Sequence, residues 1–290
     1  MMDLVQLRSF AEVALRGTVA AAAEARGYTP PAVSQHIGKL EADLGATLFE
    51  RAGGRLRLSV AGTALLPFAL QLFDLEERGR AAATQPADRP RVTVAGFASA
   101  IATLVVPVLA ELTEHLVLHV VEAEDDAAIR ELSLGHVDVV LTQEYQGLVE
   151  ERDARFRYTP LVTDRLRLVL PAGWPASTRL HELGTAHWLF NGPATRCTRA
   201  ARQLIAAAGL SPNSSGSITD NHTLVALVAA GHGVAIVPEL VIGEHRAGVT
   251  VADQDLGISR TILAVARTAA AERASALISR LAEHGRCEQP

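Results

Sequence analysis

Across 290 residues there is one lysine, Lys39, with only two cysteines, two methionines, two tryptophans and three tyrosines. Each scarcity closes a class of function. Cys197 and Cys287 have no paired spacing, which excludes a disulfide scaffold and fits a reducing compartment. Schiff-base catalysis needs a lysine, and the single one falls in a segment with a different reading. No stretch approaches the roughly 18 consecutive apolar residues of a membrane span; "TLVVPVLAEL" is short and broken by proline. The N-terminal "MMDLVQLRSFAEVALRG" lacks a basic region followed by an apolar run, so no signal peptide is expected. The expectation is a cytoplasmic protein with no membrane partner. Aromatics make up only 4% of a chain that is 49% hydrophobic, so the core must be aliphatic.

The motifs of common enzyme classes are missing too. There is no Gly-x-Ser-x-Gly, no P-loop and no His-Glu-x-x-His, and "GHG" at 231–233 precedes an apolar strand where a dinucleotide fingerprint would follow one. His115 and His119 fall at strand alternation in "HLVLHVV", so they and the acids after them are not read as a metal site. Cys197 stands just inside a helix N-terminus, where a thiol pKa can fall. Without a resolving partner it is read as a structural or pocket cysteine. No enzyme activity, cofactor or metal is expected.

What is present is organised in two halves. The net charge is −5, yet residues 1–60 carry seven bases against six acids, net +1, which leaves −6 for the rest. Total charge does not report clustering, which is what a phosphate-binding surface needs. Leu4, Leu7, Phe10 and Val13 recur at helical spacing, and Gly17 closes that helix. Thr18 is placed to cap a second helix ending at Gly27. Thr29 is placed to cap a third, with Pro30 at its first position, where no donor is lost. In the third helix Val33, Ile37, Leu40 and Leu44 form one apolar stripe. Pro31, Gln35, Gly38 and Lys39 lie opposite, with Ser34 on the flank. "TLFERAGGRLRLSVAG" reads as two short strands around a Gly-Gly tip, carrying Arg51, Arg55 and Arg57.

Ser34 and Gln35 have the reach to read base edges near a helix N-terminus in a major groove. Pro31 offers apolar contact to a thymine methyl, Gly38 allows close backbone approach, and Lys39, Arg51 and Arg55 are suited to phosphates. The candidate DNA-binding set is therefore Thr29, Pro30, Pro31, Ser34, Gln35, Gly38, Lys39, Arg51 and Arg55. Residues 61–84 form a long amphipathic helix pattern whose stripe of Leu65, Leu66, Ala69, Leu72 and Phe73 is expected to pair subunits. Pro67 is expected to bend it. "TQPADRP" is a linker by composition, and beyond it apolar strands alternate with helices in the rhythm of a parallel, helix-covered sheet.

In order and spacing, "GTVAAAAEARGYTPPAVSQHIGKLEADLGATLFERAGGRLRLSVAG" resembles the winged helix-turn-helix of LysR-type transcriptional regulators. The carrying positions are Gly17-Thr18, Ala22-Ala23, Pro31-Ala32-Val33-Ser34, Leu40-Glu41, Leu48-Phe49-Glu50-Arg51, Arg55 and Ser59 to Gly62. "GHVDVVL", "DRLRLVLPAGWP" and "LVALVAAGHGVAIVP" are similar to runs of the family's effector half. Arg26 stands where a leucine is usual and Pro30 where a polar residue is common.

The resemblance implies a multidomain α and α/β fold. A winged helix-turn-helix domain spans 1–60, a linker and dimerisation helix 61–84, a hinge 85–90, and a periplasmic-binding-protein-like effector domain 91–290. The effector domain divides into subdomain I (about 91–161 and 266–290) and subdomain II (about 162–265), joined by two crossover strands. It implies a homodimer or homotetramer on an interrupted inverted repeat of double-stranded DNA, with RNA polymerase as a further partner and a small effector in the cleft. Small-residue turns after the strands nominate Ser99, Ala100, Thr142, Asn191, Thr195, Asn221 and His222 for that effector. Backbone N–H groups in "GFASAIATL", with Arg196 and His222, favour an anionic group there. The competing readings are a winged-helix regulator of another family and a cytoplasmic solute-binding protein. The second leaves the first 84 residues unexplained.

Overall fold

Three short side chains start the first three helices. Asp3, Thr18 and Thr29 each accept a hydrogen bond from the backbone N–H of Val5, Ala21 and Ala32, relieving donors that a helix start leaves orphaned. Gly17, Gly27 and Gly45 close the same helices in the left-handed conformation. The elements are α1 (Leu4–Arg16), α2 (Val19–Arg26) and α3 (Pro30–Leu44), followed by the hairpin β1 (Phe49–Ala52) and β2 (Arg55–Leu58). In this computed structural model the described residues are 2–52, 55–83, 89–148, 151–192, 195–214, 218, 220–271 and 274–287. The Gly53-Gly54 tip, most of the expected hinge 85–90 and the side chain of Arg55 lie outside them.

Val33, Ile37 and Leu40 of α3 are buried against α1 and α2, whereas Leu44, expected on the same stripe, stands in the last turn and is exposed. The hairpin is antiparallel, with Phe49 opposite Leu58 and Arg51 opposite Leu56. It is pinned to α3 by Glu41, whose carboxylate accepts the N–H of Leu48 at 2.7 Å. Gly62 admits the next helix: a Cβ there would stand 2.2 Å from the Leu48 carbonyl oxygen.

That helix, α4 (Val60–Ala83), corrects the expected pairing stripe. Ala69 and Phe73 are buried in a core shared with Leu7 and Phe10 of α1, so this part of the stripe packs on the chain's own DNA-binding half. Leu65, Leu66 and Leu72 are half-buried beside them. The apolar residues α4 leaves exposed are Val60, Phe68 and Leu75.

The second half is built on β3 (Arg91–Gly96), α5 (Ala98–Ala100), a π turn (Ile101–Val105), α6 (Val106–Leu112), β4 (Val117–Glu122), α7 (Asp125–Leu134) and β5 (Val139–Tyr145). Next come the long β6 (Phe156–Pro171), β7 (His187–Trp188), α8 (Arg196–Ala207), β8 (Asn213–Ser214), α9 (Asn221–Ala229), β9 (Ala235–Pro238), β10 (Val249–Val251), β11 (Ser259–Arg267), α10 (Thr268–Ala271) and α11 (Ser275–Cys287). The strands join in the order β10-β6-β11-β5-β3-β4, with β9 also on β6.

The sheet is mixed where a parallel one was expected. β3 pairs parallel with β4 and β5, but β11 is antiparallel to both β5 and β6. The reason is β6, which is long enough to lie on β11 over its first ten residues and then continue between β9 and β10. β11 lies beside β5 from Arg260 onward, so the chain returns to the first subdomain near residue 259 rather than at the expected 265–266. Buried aliphatic clusters fill both subdomains. No described helix is long and apolar enough to cross a membrane.

The two halves are also joined side to side. Leu134, the last residue of α7, is buried among Leu7, Phe10 and Phe73. Around it Arg16 bridges Glu12 and Glu131, and His136 contacts both carboxylates. Hydrogen bonding from His136, helped by Arg16, holds the Glu131 carboxyl below the usual range against the upward pull of burial. A lowered carboxyl stabilises the joined state above the ordinary glutamate pKa, about 4.3, and loses that contribution as pH falls through its folded value. The protection of α1 amides against exchange, corrected for the intrinsic rate at each pH, is therefore expected to fall in acid, and Glu131→Gln is expected to remove most of the dependence. An equal acid response in the variant contradicts this.

Candidate DNA-binding face and effector cleft

The buried stripe of α3 fixes what the helix presents to solvent. Thr29, Pro30, Pro31, Ser34, Gln35, Gly38 and Lys39 are all exposed on one side, with Arg51 exposed on β1. Arg55 begins β2 opposite Ala52, next to the tip. None of the described side chains in this set is needed to hold the domain together, apart from the Thr29 hydroxyl that caps α3. His36, in the same segment, takes a structural role: its Nδ1 is 2.9 Å from the Ser9 hydroxyl, and its ring meets Tyr28 edge-on. The helix thus has a packed inner side, a histidine strap to α1 and α2's C-terminal turn, and a polar outer side shaped for a groove.

The cleft is assembled from several turns. Thr142 on β5 donates its hydroxyl to Asp125 at the start of α7, 2.8 Å away, and Arg196 at the start of α8 reaches the Gln143 carbonyl at 2.7 Å. Arg196 also lies 3.6 Å from Asp125. Thr195 caps α8 through the N–H of Thr198, and lines the same small hollow of about 140 Å³ with Asp125, Asp126 and Arg199. Asn191 donates to Asn221 at 2.8 Å, tying the turn after β7 to the start of α9. The Ser99 hydroxyl and His222 Nε2 are buried without a partner among the described residues.

Two expectations change. Ala100 is packed in the apolar core and its N–H is bonded to the Phe97 carbonyl, as is that of Ile101, so this turn offers Ser99 rather than a row of free donors. Arg196 is engaged by Asp125 and the β5 backbone, so its charge is partly offset inside the site. Burial pushes Asp125 upward, opposed by Arg196 and by bonds from Thr142 and Gln143. Cys197 is buried, which pushes its thiol up and removes the basis for a reactive thiolate.

A buried polar chain behind the cleft was not visible in the sequence. Arg260 grips Asp164 through Nε and Nη2, at 3.0 and 2.8 Å, and donates Nη1 to Gln143 at 2.9 Å. Gln143 continues to Asp125, and the Tyr145 hydroxyl also meets Gln143. In the sequence the acids after His119 bear only on a metal site, and Arg260 carries no separate reading. Only the crossing of β6 and β11 encloses Asp125, Asp164 and Arg260.

The chain matches two family descriptions that together cover nearly all of it. "Bacterial regulatory helix-turn-helix protein, lysR family" matches residues 4–63, and "LysR substrate binding domain" matches 85–286. The regulator IlvR of Caulobacter vibrioides is 27% identical over 98% of this chain and 99% of that protein. A probable hydrogen peroxide-inducible genes activator of Mycobacterium xenopi is 34% identical over 60% of this chain and 92% of that protein. Among solved structures, a full-length OxyR from Pseudomonas aeruginosa superposes with a TM-score of 0.67 at 21% identity, covering 99% of this chain and 95% of that one. ArgP from Mycobacterium tuberculosis gives 0.63 at 23% identity, covering 99% and 97%. The exposed helix face, the cleft between two α/β subdomains and these matches agree, and the chain belongs to the LysR family: it is a DNA-binding transcriptional regulator with a C-terminal effector-binding domain.

Proposed function

We propose that Ser34 and Gln35 read base edges in the major groove while Arg51 and Arg55 hold the flanking phosphates. The observation that carries this is the division of α3 into an inner side buried at Val33, Ile37 and Leu40 and an exposed outer side of small and polar residues. The molecule acts in the cytoplasm as a homodimer or homotetramer on an interrupted inverted repeat, and its output passes to RNA polymerase. Footprinting on the DNA upstream of its own coding sequence, across a salt series, tests the reading. A protected inverted repeat with steep salt dependence supports it; no protection even at low salt contradicts it. Gln35→Ala is expected to lose about 1–3 kcal/mol of discrimination for the operator with little change in stability. Arg51→Ala is expected to weaken all sequences alike and flatten the salt slope. A uniform loss in the first variant, or a sequence-specific one in the second, would reverse the two roles.

Subunits pair through the side of α4 that carries Phe68 and Leu75, continuous with half-buried Leu65 and Leu72. Phe68→Glu with Leu75→Glu is expected to shift sedimentation toward monomer while far-ultraviolet dichroism is unchanged. An unaltered assembly would move the pairing surface elsewhere.

The effector lies in the cleft against the Ser99 hydroxyl and His222 Nε2, both buried and both able to donate. An anionic group is the best match, since Asp125 is already offset by Arg196.

A further inference from the structure

Between α4 and the effector domain lies a second cavity, of about 410 Å³, away from the cleft. Leu70 and Leu75 of α4 and Phe156 at the start of β6 give it an apolar side, Ser133 and Arg155 a polar one, and Arg267, the last residue of β11, also lines it. Arg267 is only 5% exposed. Its Nη1 bonds Glu77, but Nε and Nη2 are buried with no partner among the described residues. Gly135 makes room for this guanidinium, since a Cβ there would come 3.3 Å from Nη1. Across from it Asp74 also lines the cavity, with a buried Oδ1 that accepts no hydrogen bond and lies 3.9 Å from Arg267 Nη1.

Buried donors and acceptors are nearly always satisfied, so unpartnered atoms on two residues that line one cavity mark a missing ligand group. Nε and Nη2 form the side edge of the guanidinium, whose two parallel N–H groups match a carboxylate. A carboxylate alone would leave the Asp74 oxygen without a donor. A cationic group on the same molecule would complete the orphaned oxygen of Asp74, leaving an apolar remainder against Leu70, Leu75 and Phe156. We propose that this interdomain cavity is a second small-molecule site, for an α-amino acid with an apolar side chain. Arg267 holds its carboxylate and Asp74 its ammonium. Because α4 forms one wall and the effector domain the other, such a ligand stabilises the joined arrangement of the two halves by binding it preferentially.

Calorimetric titration of the full chain with L-phenylalanine, and separately with L-leucine, tests this. Saturable binding of either is expected. 3-Phenylpropanoate and 2-phenylethylamine, or the corresponding halves of leucine, are each expected to bind more weakly by about tenfold or more. Arg267→Lys keeps the charge beside Glu77 but loses the fork, and is expected to weaken binding by a similar factor. Gln71→Trp, at the exposed rim and outside the proposed pairing residues, narrows the cavity without touching the core and is expected to weaken it too. Arg196→Gln, in the cleft, is expected to leave the affinity unchanged. The proposal is overturned if neither amino acid binds, if Arg267→Lys and Gln71→Trp both bind as the parent does, or if only Arg196→Gln loses binding, which would place the ligand in the cleft.

Discussion

Asp164→Ala is expected to destabilise the protein by about 3–5 kcal/mol, among the largest effects of any single substitution. Both members of the Asp164–Arg260 pair are about 1% exposed, and the carboxylate has a second partner in the N–H of Leu240, 3.1 Å from Oδ1. Burial pushes the Asp164 carboxyl up, and Arg260 works against that shift by charge and by hydrogen bonds. Removing the carboxylate leaves a guanidinium in a dry site, stacked on Phe97 and bonded only to the neutral Gln143. A charge without its counterion costs far more there than the pair contributes when whole. Asp164→Asn is expected to behave similarly, because it keeps the shape and loses the charge. The double replacement Asp164→Leu with Arg260→Met is expected to recover much of the loss. Denaturant unfolding of all four proteins checks the scheme. A cost below about 1 kcal/mol for Asp164→Ala, within the range of an exposed pair, would mean that water reaches the site. The pair stands where β6 and β11 pass between the subdomains, so the same variants are expected to loosen the junction between them.

How much of this was legible in the sequence depends on whether the signal was local. Caps and glycine stops are local: α2 and α3 begin where Thr18 and Thr29 place them, and all three helices end at their glycines, while the Asp3 cap of α1 shows only in the structure. The outer side of α3 followed from the period of its apolar residues. The cleft was legible only in part. Asn191 and Thr195 stand beside turns, as expected, but Thr142 lies inside β5 because that strand runs on to Tyr145, and Asn221 opens α9; Asp125 reached the site through the start of α7. Ala100 failed because a small residue beside a strand end can face either the core or the ligand, and only packing decides. Part of the stripe on α4 is covered from within the chain for a related reason. Periodicity shows that Ala69 and Phe73 must be covered, but it does not say by what, and the cover is α1 of the same chain. The parallel sheet was the wrong inference because a long strand shared by two subdomains has no local mark.

Leu134→Ala is expected to separate the two halves at a cost of about 2–5 kcal/mol, the range for deleting a buried leucine. Leu134 is 2% exposed, yet almost everything it touches there belongs to the DNA-binding half and α4. The cost therefore falls on docking rather than on either fold. Glu131 and His136 flank it and contact Glu12 and Arg16, so the loss of packing also opens this ion cluster to water, where its members are worth less. Hydrogen exchange is expected to speed up in α1 and in the 60–83 helix while α8 and α9 keep their protection. Unchanged exchange in α1 would show that the Arg267 contacts to Glu77 and Asp74 hold the halves together without Leu134. The functional weight of the result comes from the other end of the same helix. α7 begins at Asp125, bonded in the cleft to Thr142, Gln143 and Arg196, and ends about 15 Å away at Leu134. A ligand that re-partners Asp125 acts on a rigid rod whose far end is seated in the DNA-binding half. Leu134→Ala keeps the cleft whole and removes that seat. Operator binding is expected to persist in the variant while its dependence on the state of the cleft is lost.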